Sequence, residues 1–363
     1  MTAATDRCPG VLRLHEAADG RLARVRLPGG RIGPGGLAAV AEAAALGSGV
    51  IELTARASVQ VRGMSAGAGE RCAARLTDAG LLPSPDHDRV RNILASPVAG
   101  RHPDARAKID DVVADLDRRI CADDTLTRLS GRFLFAVDDG SGLHGDRPAD
   151  VALVAVDDDG FRLEVGGAPG AARLSRAEAP LAAVAAARAA LADTCRGAGP
   201  GPGRTRPPGR TPALGPLRQR DGRVAVTAMP RLARLDPPTV RALAALTRAH
   251  GTDVRISPQR TLTLVDIAPG NAEPVVRALE TLGLVTDPAS GWYGLTACAG
   301  LGACARALRD VRTEAAARAG PRTASAPAEH WSACERRCGR PAGAHTAVTA
   351  DRDGLRVEEV PAS

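Results

Sequence analysis

The sequence predicts an α+β protein built twice from one unit, the two copies related by a pseudo-twofold axis. Three repeats within the chain predict it. Residues 22–61 and 224–264 share one order of strand, turn, helix, strand and strand. Residues 73–85 and 276–288 share a segment ending in Gly-Leu, and residues 156–165 and 349–359 share an Asp-rich turn between alternating stretches. In the first repeat Pro28 falls on Pro230 and Gly49 on Gly251. After a one-residue shift Leu53 falls on Ile256, Thr54 on Ser257 and Val59 on Leu262.

The elements of one copy follow from local pattern. Ala23, Val25 and Leu27 alternate with polar residues, which predicts a strand. A Gly/Pro turn follows, then a helix over 37–46, a strand over 50–53 and a returning strand through Val59 and Val61. A second helix stops at Gly80, a suitable residue for the left-handed position past a helix end. This βαββαβ order is a ferredoxin-like arrangement, and each copy continues into a further α/β portion. The Ala-rich stretch 176–194 predicts a helix. Residues 196–212 hold too much Gly and Pro to build a packed core and predict a linker. The expected organisation is a half-domain over 1–88, an α/β domain over 89–195, a linker over 196–220, a second half-domain over 221–290 and a last α/β domain over 291–363.

Composition excludes several function classes. Aromatic residues are 2% of the 363, so the core is built from Ala, Val and Leu. Stacking platforms for single-stranded nucleic acid are lacking. The net charge is +7 and the positive charge is nearly all Arg, with Lys108 the single lysine. Guanidinium forks suit carboxylates and phosphates, and no dense Lys/Arg tract suggests a nucleic-acid partner. The first ten residues show no apolar signal region, and the most apolar stretch, 181–191, is short and broken by Arg188, so no membrane partner is expected. A cytoplasmic location is expected, where eight cysteines point to metal or redox chemistry before disulfides.

Four of the cysteines form two spaced pairs. Cys298 and Cys304 enclose five residues, and Cys334 and Cys338 enclose three. A cubane cluster needs four thiolates at the corners of a small tetrahedron, and two loops carrying one pair each supply them. The small residues between Cys298 and Cys304 let backbone wrap closely. A helix is expected over 305–319, stopped by Gly320. The alternatives are a structural zinc site, whose usual spacings are shorter than that of the first pair, and four unrelated cysteines. Cys8, Cys72, Cys121 and Cys195 show no pairing.

These pairs, on a duplicated framework, resemble the sirohaem-dependent nitrite/sulfite reductase superfamily, and within it the precorrin-3B synthase family. Residues 8–32, 51–63, 91–100, 129–140, 296–308 and 329–341 carry the resemblance in order. It implies α/β domains of nitrite/sulfite reductase type after each half-domain. It implies a 4Fe-4S cluster on Cys298, Cys304, Cys334 and Cys338. It also implies an anionic tetrapyrrole bound by Arg56, Gln60, Arg62, Arg91, Asn92 and Arg132. No catalytic residue emerges from the sequence.

Arg132 and Leu134 stand where the reductases carry two lysines, and residues 339–363 alone follow Cys338, a shorter tail than reductases generally have. The resemblance therefore implies the synthase activity: oxygen-dependent hydroxylation of precorrin-3A at C20 with closure of a γ-lactone. Precorrin-3A, O2 and an NADH-linked or ferredoxin-type electron donor would be the partners. A non-haem iron would be a second metal, with His330 a candidate ligand. The alternative is a sulfite or nitrite reductase holding sirohaem. Three departures from the family are visible. Ala333 replaces a Gly before Cys334, which requires a negative φ there. Gln259 replaces an aromatic, and the turn after Met229 and Pro230 lacks its Gly.

Overall fold

In the computed structural model, residues 8–143, 148–195, 213–323, 325–341 and 343–361 are described. The first half runs β1 (His15–Ala17), β2 (Gly20–Val25), a 3-10 turn, β3 (Arg31–Ile32), α1 (Pro34–Ala45), β4 (Ile51–Leu53), β5 (Val59–Met64) and α2 (Ala68–Asp78). An α/β portion follows: β6 (Ile93–Ala95), α3 (Asp110–Cys121), β7 (Phe135–Asp138), β8 (Val151–Ala155), β9 (Gly160–Val165), β10 (Ala168–Ser175) and α4 (Glu178–Cys195). The second half runs β11 (Gly215–Arg218), β12 (Val224–Ala228), a 3-10 turn, β13 (Arg234–Leu235), α5 (Pro237–His250), β14 (Val254–Ile256), β15 (Leu262–Ile267) and α6 (Ala272–Thr281). It ends in β16 (Leu295–Ala297), α7 (Val311–Ala319), β17 (Glu329–Ser332), β18 (His345–Ala350) and β19 (Leu355–Val360).

The duplication is visible in the sheets. The half-domain sheets have orders β1-β2-β5-β4-β13 and β11-β12-β15-β14-β3. Each half lends its two-residue strand to the other, so β13 pairs with β4 and β3 with β14. The α/β sheets repeat one topology, with β6, β7 and β8 parallel and β9 antiparallel, and β16, β17 and β18 parallel and β19 antiparallel. Helices α1 and α5 share one apolar core with both half-domain sheets.

The register refines the repeat. Arg234 lies opposite Glu52 and Arg31 opposite Arg255, so Glu52 and Arg255 are counterparts, and Leu53 matches Ile256. Pro28 then matches Arg231, one residue beyond the expected Pro230. The chain reverses there through two left-handed residues, Gly29 and Gly30 in one copy and Leu232 and Ala233 in the other. A Cβ on Gly30 would sit 2.0 Å from the Ile256 carbonyl oxygen. Leu232 and Ala233 hold the same conformation at a strain of about 1–2 kcal/mol each, so the missing glycine changes energy and not the path.

Other expectations meet particular outcomes. Gly80 is left-handed past α2. Of the expected linker, residues 196–212 lie outside the described residues, while Gly215–Arg218 forms β11 against β12. The helix expected over 305–319 is shorter: α7 begins at Val311 because Asp310 caps it, accepting from Thr313 N at 3.2 Å. Residues before the cap stay in the loop carrying Cys304. Gly320 closes α7 in right-handed geometry. Among the described residues no helix is long and apolar enough to cross a membrane.

Ion pairs join the portions. Asp110 at the start of α3 accepts from Arg255 of the second half and from Arg101 at 3.0 Å, and Arg101 also binds Asp266 at 2.7 Å. Burial works against the Asp110 charge, but Arg255 and Arg101 outweigh it and hold the carboxyl below its ordinary value. Such a group stabilises the fold above the ordinary carboxylate pKa, and that contribution disappears as pH falls through the lower folded value. Asp110→Asn should therefore cost about 2–3 kcal/mol at pH 7. The difference from wild type should shrink below about pH 3.9. Urea unfolding at both pH values checks this, and a penalty independent of pH would reject it.

Candidate functional site

A half-open cavity of about 430 Å³ lies where the first half-domain meets the last α/β portion. Its wall contains Arg24 from β2, Arg56 from the β4–β5 turn, and Gln60 and Arg62 from β5. The opposite side contributes Arg260, Arg312 of α7, Cys298 and Cys338. Three of the six residues expected to bind a tetrapyrrole and two of the four cysteines thus share one cavity wall.

The other three lie elsewhere. Arg91 donates to both oxygens of Asp117, at 2.8 and 2.7 Å, and lines a separate cavity of about 480 Å³ beside Asp110 and Asp253. Asn92 is buried and donates to the carbonyls of Arg89 and Gly131. Arg132 is exposed, and it is not part of the cavity wall. Leu134 is buried in the central core.

Arg62 touches the cavity, but its fork is fully engaged. It donates to Asp19 at 2.9 and 3.0 Å, to Glu52 at 3.3 Å and to the Ala303 carbonyl at 2.8 Å. Glu52 also receives Arg234 at 2.9 Å. Burial works to raise the Glu52 pKa, but Arg62 and then Arg234 overcome it and the carboxyl is held below its ordinary value. The family resemblance implied Arg62 as an anion ligand, and its partner 241 residues away leaves no local trace in the sequence.

Arg24 and Arg26 went unmarked, although they alternate on the strand that carries Ala23, Val25 and Leu27. Arg24 donates to Gln60 Oε1 at 3.1 Å. Arg26 is 2% exposed, and among the described residues none of its three guanidinium nitrogens has a hydrogen-bond partner. Burial, with Arg24 adding to it, pushes its pKa down to about 9. Arg56 is also among the charges acting on it, but Arg26 lines the separate cavity that holds Arg91 and not this wall.

The cysteines sit on two loops at the ends of neighbouring parallel strands. Cys298 follows β16, and Cys334 and Cys338 follow β17. All four are free thiols. Burial, then Cys334, and further Cys298 and Cys304, push the Cys338 thiol above its ordinary value. Ala333 N–H donates to Cys298 Sγ at 3.3 Å, and Ala333 does not adopt a positive φ, as its methyl requires. Among the described residues no three His, Cys, Asp or Glu side chains are drawn close enough to ligate a metal. The donor chemistry fits a four-thiolate cluster; the side chains are not gathered onto one centre.

His330 lies behind these loops. Its ring is buried, with Nδ1 2.8 Å from Thr296 Oγ1, and burial and then Arg260 push its pKa down to about 3. It is a neutral ring bridging β16 and β17 and packs edge-on against His345, with ring centroids 6.5 Å apart; among the described residues no group of three ligands forms there.

Residues 14–79 and 216–282 match the nitrite/sulfite reductase ferredoxin-like half domain, so the chain carries this half domain twice. A stretch of 103 residues is 32% identical to sulfite reductase (ferredoxin) 2 of Mycolicibacterium paratuberculosis. That stretch spans 28% of this chain and 19% of the relative. The fold superposes on the NirA protein of Mycobacterium tuberculosis with a TM-score of 0.70 at 19% identity, covering 93% of this chain and 73% of that one. The duplicated fold expected from the sequence is therefore the one found.

An unpartnered buried cation destabilises a fold. Replacing it with an apolar side chain of similar length should raise the unfolding free energy of the ligand-free chain by about 1–3 kcal/mol. Arg26→Met is that replacement, and thermal unfolding measures the change. A fall in stability would mean that Arg26 has a structural partner.

Proposed function

We propose that this chain is a nitrite/sulfite reductase-like oxidoreductase whose four paired cysteines hold a 4Fe-4S cluster beside a cavity for an anionic tetrapyrrole. One observation supports the reading above the others: Cys298 and Cys338 share a cavity wall with Arg24, Arg56, Arg260 and Arg312. A group bound in that cavity lies against the cysteine loops, where electron transfer needs it. When bound, the cluster supplies electrons one at a time.

The chain's own residues then have separable tasks. Arg24 and Arg56 offer guanidinium forks to the acetate and propionate groups of a tetrapyrrole, and their permanent charge suits carboxylates. Gln60 accepts from Arg24 and donates to Glu52 at 3.3 Å, which orients Arg24. The loops carrying Cys298 and Cys338 form the far wall.

With sirohaem as the tetrapyrrole, the reaction would be reduction of sulfite or nitrite, the reading favoured by the half-domain matches. A second reading takes the tetrapyrrole as substrate, with precorrin-3A hydroxylated by O2 at C20 and closed to a γ-lactone. It is favoured by the proton inventory. Oxyanion reduction consumes protons, and an arginine cannot supply them at neutral pH. The single lysine, Lys108, is exposed and outside the cavity wall, Leu134 is apolar and buried, and His15 is the one imidazole on the wall.

Anaerobic purification with iron and sulfide analysis tests the cluster, and Cys334→Ser should abolish both. Strong porphyrinoid absorption bands from the purified chain, with sulfite or nitrite turnover, support the first reading. A cluster spectrum alone, with O2-dependent conversion of precorrin-3A seen by mass spectrometry, supports the second. In either case Arg56→Ala should weaken tetrapyrrole binding by about 1–3 kcal/mol. Isothermal titration measures it, and unchanged affinity removes Arg56 from the pocket.

A further inference from the structure

The first cysteine loop has little to hold its own shape. It reads Cys-Ala-Gly-Leu-Gly-Ala-Cys over 298–304, with Gly300 and Gly302 both at positive φ and Leu301 exposed. Its backbone carbonyls are held from outside. Arg312 donates NH1 to the Cys298 carbonyl at 3.0 Å and NH2 to the Leu232 carbonyl at 2.8 Å. Arg234 of β13 donates to the Ala299 carbonyl at 2.9 Å, and Arg62 of β5 donates to the Ala303 carbonyl at 2.8 Å. The bonded carbonyls thus belong to one cysteine of the pair and to the inner neighbours of both. Glu52 joins Arg62 and Arg234 behind the loop.

This arrangement has two physical consequences. Guanidinium groups from three elements hold carbonyls at both ends of a glycine-rich loop, Arg312 and Arg234 at the Cys298 end and Arg62 at the Cys304 end, which fixes where the thiols at those ends stand. It also places three unit charges beside four thiolates. One-electron reduction leaves a four-thiolate cluster one charge more negative, and fixed cations favour that state while a fixed anion opposes it.

We propose that Arg62, Arg234 and Arg312 are positioning residues that hold the first cysteine loop in its cluster-binding shape. Their charge raises the reduction potential of the cluster held there, with Glu52 as the opposing charge. This rests on the reading of the four cysteines as cluster ligands. Because Arg62 and Glu52 also line the cavity, the same residues join its wall to the cluster loop.

The test is a mediated potentiometric titration of the anaerobically prepared holoprotein, with dithionite as reductant, read by electron paramagnetic resonance of the reduced cluster. Iron, sulfide and the rate of iron loss to a chelator are measured on the same samples. Arg312→Gln should lower the midpoint, raising the oxidised-to-reduced ratio at the wild-type midpoint about tenfold, ~59 mV for one electron. Glu52→Gln should move it the opposite way, a signed response that loss of structure alone would not give. Arg312→Lys keeps the charge and loses the fork, so its midpoint should stay near wild type while iron is lost faster. Arg234→Gln repeats the test if Arg312→Gln does not fold. Arg312→Gln and Glu52→Gln with full iron, wild-type midpoints and wild-type chelation rates overturn the proposal. A wild-type protein without iron and sulfide removes the cluster assignment itself, and this proposal with it.

Discussion

The arrangement of the site depends on one buried carboxylate. Glu52 lies at the point where the second half lends β13 to the first sheet, directly opposite Arg234. A carboxylate buried there needs cationic partners, and it takes one from each half, Arg62 and Arg234. Both partners reach past it to the Cys298–Cys304 loop. Strand exchange, charge burial and loop shape are therefore one linked arrangement. The two halves cannot shift against each other without leaving a charge unpaired.

The counterpart position shows how duplication was put to two uses. Arg255 stands where Glu52 stands, and it faces Arg31, a like charge. The two are separated by different acids, Arg255 taking Asp110 and Arg31 taking Asp253 at 2.6 Å. Arg56 corresponds to Gln259, and Arg62 to Val265. Val265 packs with Val98, Leu143 and Ala225 in a small apolar cluster that fills the equivalent space. Ser96 and Gly140 occupy the strand-end positions of Cys298 and Cys334. Beside them the Asp139 carboxylate accepts from Gly100 N at 2.7 Å and Ser141 N at 3.0 Å. One copy organises its loops by a carboxylate and an apolar plug, while the other keeps thiols and a charged cavity.

What could be read from the sequence divides along the same lines. The half-domain elements were legible because helix and strand periods, Gly80 and the Asp-rich turns are local signals. The cysteine pairs were legible because short spacing survives without three-dimensional knowledge. Arg62, Arg91 and Arg312 were not legible in role, since an arginine's task is set by what it meets. Arg91 meets Asp117 and Arg62 meets Asp19 and Glu52, so neither has a free fork. Arg26 was missed for the opposite reason. It sits on a strand whose apolar alternation suggested outward-facing polar residues, yet it is buried without a partner. The overlong helix before α7 was misread because helix propensity in 305–310 yields to the Asp310 cap and the need for a wrapping loop.

Charge balance around the cavity carries the last step. Glu52 is consumed by Arg62 and Arg234, and Asp19 by Arg62. The other arginines on this wall are Arg24, Arg56, Arg260 and Arg312, while Arg26 lines the neighbouring cavity. A neutral occupant would leave these cations facing one another in a partly desolvated space, where burial first, and Arg234 after it, lowers the Arg312 pKa to about 10. Screening by water and mobile ions weakens as the cavity fills. An occupant with several carboxylates reverses the sign of each of these interactions at once. A polyanionic occupant, as proposed for this cavity, would relieve that concentration of guanidinium charge, and the fixed charge of arginine would make the selection independent of pH over the physiological range.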